Sequence, residues 1–277
     1  MYKNKKPAYK ETTVGIFGDS FASRAWGNDT GMSWAEILDK KHGYYRQTNF
    51  AETGSSLFFS YDNFLKCFNQ FEKIIFVVTS PGRLSLPPHI EIHKQWGSRH
   101  VVPVSLEADF EGIDSLIKNT INQEDKNLFM SHRRTLEAVE NYFAYLYDDN
   151  QDVHNNMGLV QNLISMRPDM LIIPTIRNGV ADRLGLPDPS LDKVKFPSVM
   201  SDICQREITA TGNDYYSLAG SGRDRRHCHM SETNNEIFAD KIAEYIETGN
   251  FTLNADDFVY DKDLDVSTVF PRAKLGL

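Results

Sequence analysis

The chain has 277 residues, 40% hydrophobic and 25% charged, with a formal net charge of -8. That length and composition fit one large globular domain with a sizeable core and exclude a low-complexity chain. The acidic balance argues against general nucleic-acid binding, and no apolar run approaches membrane-spanning length.

Residues Met1 to Lys10 are basic, but no apolar stretch follows them, so they do not read as a signal peptide and a cytoplasmic protein is expected. Cys67, Cys204 and Cys228 are too widely spaced for a disulfide framework or a paired-cysteine zinc pattern, which fits a reducing compartment. The first apolar run, 13–18, is β-rich and ends abruptly in Gly18-Asp19-Ser20. A buried parallel strand ending this way delivers a hydroxyl to the carboxyl-end rim of an α/β sheet, where such folds do their chemistry. Gly18 permits a sharp turn, Asp19 braces it, and Ser20 is expected at the N-terminus of the next helix, where free N–H groups favour an alkoxide-like transition state. Ser20 also has a purely structural reading, as the cap of that helix.

Ser33-Trp34-Ala35-Glu36 predicts a helix start with a capping box between Ser33 and Glu36. A weaker strand follows near 45–50, then an aromatic run, Phe58, Phe59, Tyr61, Phe64, Phe68 and Phe71, mostly at helical core spacing. Phe58, Phe59 or Tyr61 is a candidate to line an acyl or sugar pocket. Ile74-Ile75-Phe76-Val77-Val78-Thr79 is a third strand. Residues 84–126, with two adjacent prolines and Trp96, show no clean period and are expected to form an insertion over one end of the sheet. Helical spacing returns over 128–147 and 153–166, a fourth strand over 170–174 and a fifth at about 214–218. A last helix is expected from Ser231 to the stop at Gly249, and 250–277 as a tail packed on the body or on a partner. Strands alternating with helices predict a three-layer α/β/α sandwich on a five-stranded parallel sheet, flavodoxin-like, over 1–249.

Near the far end lies Asp224-Arg225-Arg226-His227-Cys228-His229-Met230-Ser231. A histidine just before a capped C-terminal helix, together with a serine after the first strand, supplies what nucleophilic acyl chemistry needs: an imidazole to take the hydroxyl proton and a carboxylate to orient it. Together with the strand order, this resembles the SGNH (GDSL-type) hydrolase family over most of the chain, as an ordered set of blocks. The resemblance implies that Ser20 is the nucleophile and gives one oxyanion N–H. It also implies that Asn49-Phe50-Ala51-Glu52-Thr53-Gly54 is the second block, with Gly54 giving another N–H. Where the family places a glycine and an oxyanion-binding asparagine, this chain has Thr79-Ser80-Pro81-Gly82-Arg83, so Ser80 or an N–H near Gly82 is the candidate third donor. His229 fits the family register to Ala239, with Asp224 reaching from five residues upstream or the site working as a dyad; His227 fits the Asp-x-x-His spacing and stays the alternative base.

Arg83, Arg225 and Arg226 are either solvated, paired with acid, or bind an anionic substrate group, and Asn178 at the rim after the fourth strand is a candidate substrate contact. No cofactor is implied. No metal is expected either, since His89 and His93, or His227 and His229, lack a carboxylate-rich or paired-cysteine surround. The expected activity is hydrolysis of a small acyl ester, such as an O-acetyl group on a carbohydrate. The alternatives are an O-acyltransferase, or an inactive glycan-binding or structural module of a larger assembly that uses the tail for contact. Phosphate-ester chemistry using the arginines ranks last, for want of a metal or a phosphate loop.

Overall fold

The computed structural model describes residues 9–24, 32–79, 82–86, 100–101, 106–175, 200, 203–204, 206–207 and 230–260. Four strands, β1 (Val14–Phe17), β2 (Gln47–Asn49), β3 (Lys73–Val78) and β6 (Leu171–Pro174), form an all-parallel sheet in the order β2-β1-β3-β6. The fifth strand expected at about 214–218 lies outside the described residues.

Period-two alternation divides the strand side chains between two cores. Val14, Ile16, Ile75, Val77, Leu171 and Ile173 join one apolar cluster with helices α1 (Trp34–Lys40) and α6 (Glu232–Thr248). Phe17, Ile74, Phe76, Val78 and Ile172 join the other, with α2 (Leu57–Cys67) and α5 (Asp149–Met166). The domain is therefore three layers, helix, sheet and helix. Fully burying one such side chain contributes about 1.5–3 kcal/mol, so each face of β3 alone is a substantial stabilising surface.

The helix ends follow their sequence signals. Ser33 accepts from Glu36 N–H while Glu36 accepts from Ser33 N–H, which is the capping box. Ser231 caps α6, and Gly249 ends it in the left-handed conformation at φ 78°. Asn122 caps α4 (Gln123–Tyr145) and Asp148 caps α5, so both helices begin a few residues before the apolar periodicity that predicts them.

The stretch 84–126 is more regular than its sequence suggests. Leu84–Ser85 (β4) pairs antiparallel with His100–Val101 (β5), and Leu106–Asn119 forms a helix, α3, packed along α4. Leu106, Phe110, Ile113 and Ile117 do keep helical spacing, but the aperiodic segment before them hides it. Arg133 lies over the Phe110 ring at 5.7 Å and donates to Asp114 at 2.7 Å, joining the two helices.

Beyond α6, Phe251, Leu253 and Phe258 are buried in the same cluster as α1 and α6, so 250–260 packs on the body. No helix among the described residues is long and apolar enough to cross a membrane.

Candidate functional site

From β1 the chain passes through α1 to β2 on one side, and the return through α2 reaches β3 on the other side of β1. The carboxyl ends of β1 and β3 thus flank a topological switch point, where ligands of doubly wound sheets bind. Gly18 is the first residue past β1, at φ 150°, and a Cβ there would lie 2.7 Å from Val77 Cβ and 3.2 Å from Ala22 Cβ. Only glycine fits this close approach. Gly18→Ala is expected to destabilise the fold by about 1–3 kcal/mol through overpacking, measurable by urea denaturation, whereas an unchanged midpoint would show that the turn has room.

The Gly18 carbonyl accepts from Ser55 Oγ at 2.9 Å, Ser60 Oγ at 3.2 Å and Glu52 N–H at 3.3 Å. Asn49 Nδ2 donates to the Ala22 carbonyl at 2.7 Å, and Asn49 Oδ1 accepts from Ala51 N–H at 2.9 Å. The segment 49–55, with Gly54 in a turn at φ 74°, is therefore fastened to the turn that carries Ser20. Within 18–24, Ala22 and Ser23 N–H both donate to the Asp19 carbonyl at 3.0 Å, giving one tight turn. The regular helix expected to start at Ser20 does not begin there; the first one described is α1. Ser20 is 8% exposed, and its Oγ makes no hydrogen bond to a described residue.

Asp19 has no exposure at all and is fully engaged. Its Oδ1 accepts from Phe21 N–H at 3.1 Å, while Oδ2 accepts from Thr79 Oγ1 at 2.7 Å and Arg83 Nη1 at 2.8 Å. The last two contacts join the carboxyl ends of β1 and β3. The Arg83 side chain is itself only 12% exposed, so this is a buried ion pair. Removing one partner of such a pair costs about 3–5 kcal/mol, because the other charge is left buried and uncompensated.

This geometry selects one of the readings of Arg83 and corrects one other expectation. Arg83 is paired with acid, its Nη1 donating to Asp19. The Gly82 N–H, a candidate third oxyanion donor, already donates to Asp152 Oδ2 at 2.7 Å. Asp152 also accepts from Tyr147 Oη at 3.3 Å and Asn156 Nδ2 at 3.2 Å.

The start of α6 belongs to the same end of the sheet. Trp34 Nε1–H donates to the Phe21 carbonyl at 2.6 Å, and Trp34 N–H donates to Asn235 Oδ1 at 3.1 Å. Asn235 Nδ2 in turn donates to the carbonyls of Met230 and Ser231, each at 3.0 Å. Two residues, Trp34 and Asn235, thus connect Phe21, beside Ser20, to Met230, which follows His229 in sequence. His229, His227, Asp224, Ser80 and Asn178 themselves lie outside the described residues.

Sequence reasoning passed over Glu207. It is 1% exposed and accepts from Ser231 Oγ at 2.5 Å, from Ser231 N–H at 3.1 Å and from Asn234 Nδ2. The α6 dipole and these donors stabilise its carboxylate at the helix N-terminus. Among the described residues, no group of three or more His, Cys, Asp or Glu side chains is placed to hold a metal ion. Comparison with known protein families, with curated proteins and with solved structures gives no match for this chain.

Proposed function

We propose that this chain is a serine ester hydrolase of the SGNH kind, acting on small acyl esters, with O-acetyl groups on carbohydrate as the substrate class. The observation that supports it most is the position of Ser20: a side chain without a described hydrogen-bond partner, on a braced turn, at the switch point between β1 and β3. In the proposed reaction Ser20 Oγ attacks the acyl carbon while its proton passes to His229. The alcohol leaves with that proton, and water then repeats the sequence to release the acid and restore the serine. The N–H groups of Ser20 and Gly54 hold the oxyanion, and Asp224 orients the base. Phe58, 62% exposed in the first turn of α2 close behind Gly54, offers an aromatic face to the substrate.

The test is turnover of a short-chain aryl acetate and acetate release from an acetylated oligosaccharide. It is combined with fluorophosphonate labelling mapped by mass spectrometry. Hydrolysis with label on Ser20 is the expected result; no turnover and no label would remove the assignment. The base is tested separately. His229→Ala is expected to lose at least about a thousandfold in kcat and His227→Ala far less. The reverse order would make Asp224 and His227 the working pair.

A second reading, a catalytically weak or inactive glycan-binding module, has one observation in its favour. The engagement of the Gly82 N–H with Asp152 removes a candidate oxyanion donor, and losing one such donor costs about 10²–10³ in kcat. Saturable binding of the acetylated oligosaccharide without release of acetate would select that reading.

A further inference from the structure

We propose that Arg83 is a positioning residue for Ser20, acting through the Asp19 carboxylate, so that the segment after β3 sets the reactivity of the serine. The inference rests on the ester-hydrolase reading and extends it to how the nucleophile is held. If Asp19 only braced its own turn, the bond from Phe21 N–H to Oδ1 would suffice, and asparagine would serve as well. Instead Oδ2 accepts from two residues across the crevice, one of them carrying a full charge.

The delivery of that charge is itself built. Gly82 takes φ 81°, where a Cβ would stand 3.2 Å from Tyr147 Oη, and its N–H is pinned by Asp152. Asp152 is held in turn by Tyr147 and Asn156. A continuous run of contacts therefore reaches from the α4–α5 junction through Gly82 and Arg83 to the residue before Ser20. Arg83 Nε is buried without a hydrogen-bond partner among the described residues, and the bond this guanidinium does make to them is the one from Nη1 to Asp19 Oδ2. A displacement of about 1 Å at a reacting group lowers rate by about 10²-fold while leaving substrate affinity largely intact.

The test compares wild type, Arg83→Met, Arg83→Lys and the charge-free pair Asp19→Asn/Arg83→Met. The readouts are kcat and KM on an aryl acetate, the second-order rate of fluorophosphonate labelling at Ser20, and Tm. Arg83→Met is expected to lose about 100-fold in kcat and in labelling rate with KM within about threefold, and Arg83→Lys to recover a large part of that loss. The charge-free pair leaves no buried uncompensated ion. It is expected to hold a Tm closer to wild type yet label as slowly as Arg83→Met, which keeps the inference testable if Arg83→Met does not fold. Labelling and kcat within threefold of wild type in a folded Arg83→Met, or in the charge-free pair, overturns the inference and leaves the ester-hydrolase reading standing. A wild-type protein that neither turns over nor labels overturns that reading, and this inference with it.

Discussion

Ser20→Ala is expected to abolish ester hydrolysis, by roughly 10⁴–10⁶-fold in kcat, while leaving the fold intact. The two halves of this expectation have separate physical origins. Oγ is the atom that would bond to the acyl carbon, so its removal deletes the covalent path and leaves only oxyanion stabilisation and binding. The same atom makes no hydrogen bond to a described residue, and Asp19, Thr79 and Arg83 hold the turn without it. Stability is therefore expected to change by no more than about 1 kcal/mol, since no hydrogen bond to a described residue is lost. Activity on an aryl acetate and a thermal melt, taken on the same preparation, check both halves. Residual turnover above a hundredth of wild type would place the chemistry elsewhere. A large drop in Tm would mean that Ser20 serves the turn itself.

How much of this was legible in the sequence depends on the range of each interaction. The strand at Ile74–Thr79, the capping box of Ser33 and Glu36, and the limits of α6 at Ser231 and Gly249 are written in residues a few positions apart. The structure has the capping box and the limits of α6 where the sequence places them, and the strand one residue earlier, at Lys73–Val78. The position of Gly18-Asp19-Ser20 at the end of β1 was readable for the same reason. Helix α3 was missed because its spacing follows a segment without any period. The partners of Asp19 were not readable at all. Arg83 lies 64 positions away, and nothing in Thr79-Ser80-Pro81-Gly82-Arg83 marks its guanidinium as buried. An arginine in a loop is more often solvated, and only the parallel pairing of β1 with β3 carries it to the aspartate. Glu207 is hidden in the same way, 24 residues from the helix cap it engages.

Glu207→Ala is expected to lower stability strongly. The carboxylate accepts from both the N–H and the hydroxyl of Ser231 and from the Asn234 side-chain amide, all at the buried start of α6. Asn234 also donates to the Val259 carbonyl and accepts from Val259 N–H, each at 2.9 Å, so the same network fixes 250–260 against the body. Alanine leaves the buried Asn234 donor and the part-buried Ser231 N–H without this acceptor, at about 1–3 kcal/mol each, and removes a negative charge from the helix N-terminus. A loss of about 4 kcal/mol is expected, which for a domain of this size lowers Tm by about 8–16 °C. Glu207→Gln keeps one acceptor oxygen but turns an NH2 group towards a donor, so it should fall between alanine and wild type. Ser231→Ala acts on the same cluster, so the Glu207→Ala/Ser231→Ala double variant is expected to lose less than the sum of the single changes. Thermal melts of the four proteins measure that coupling. Additive losses, or a Glu207→Ala protein that melts with wild type, would show that Ser231 caps α6 without help and that the buried carboxylate is dispensable. With the coupling present, Ser231 and Asn234 at the start of α6 are held by Glu207 through the helix cap, at the same end of the sheet as Ser20.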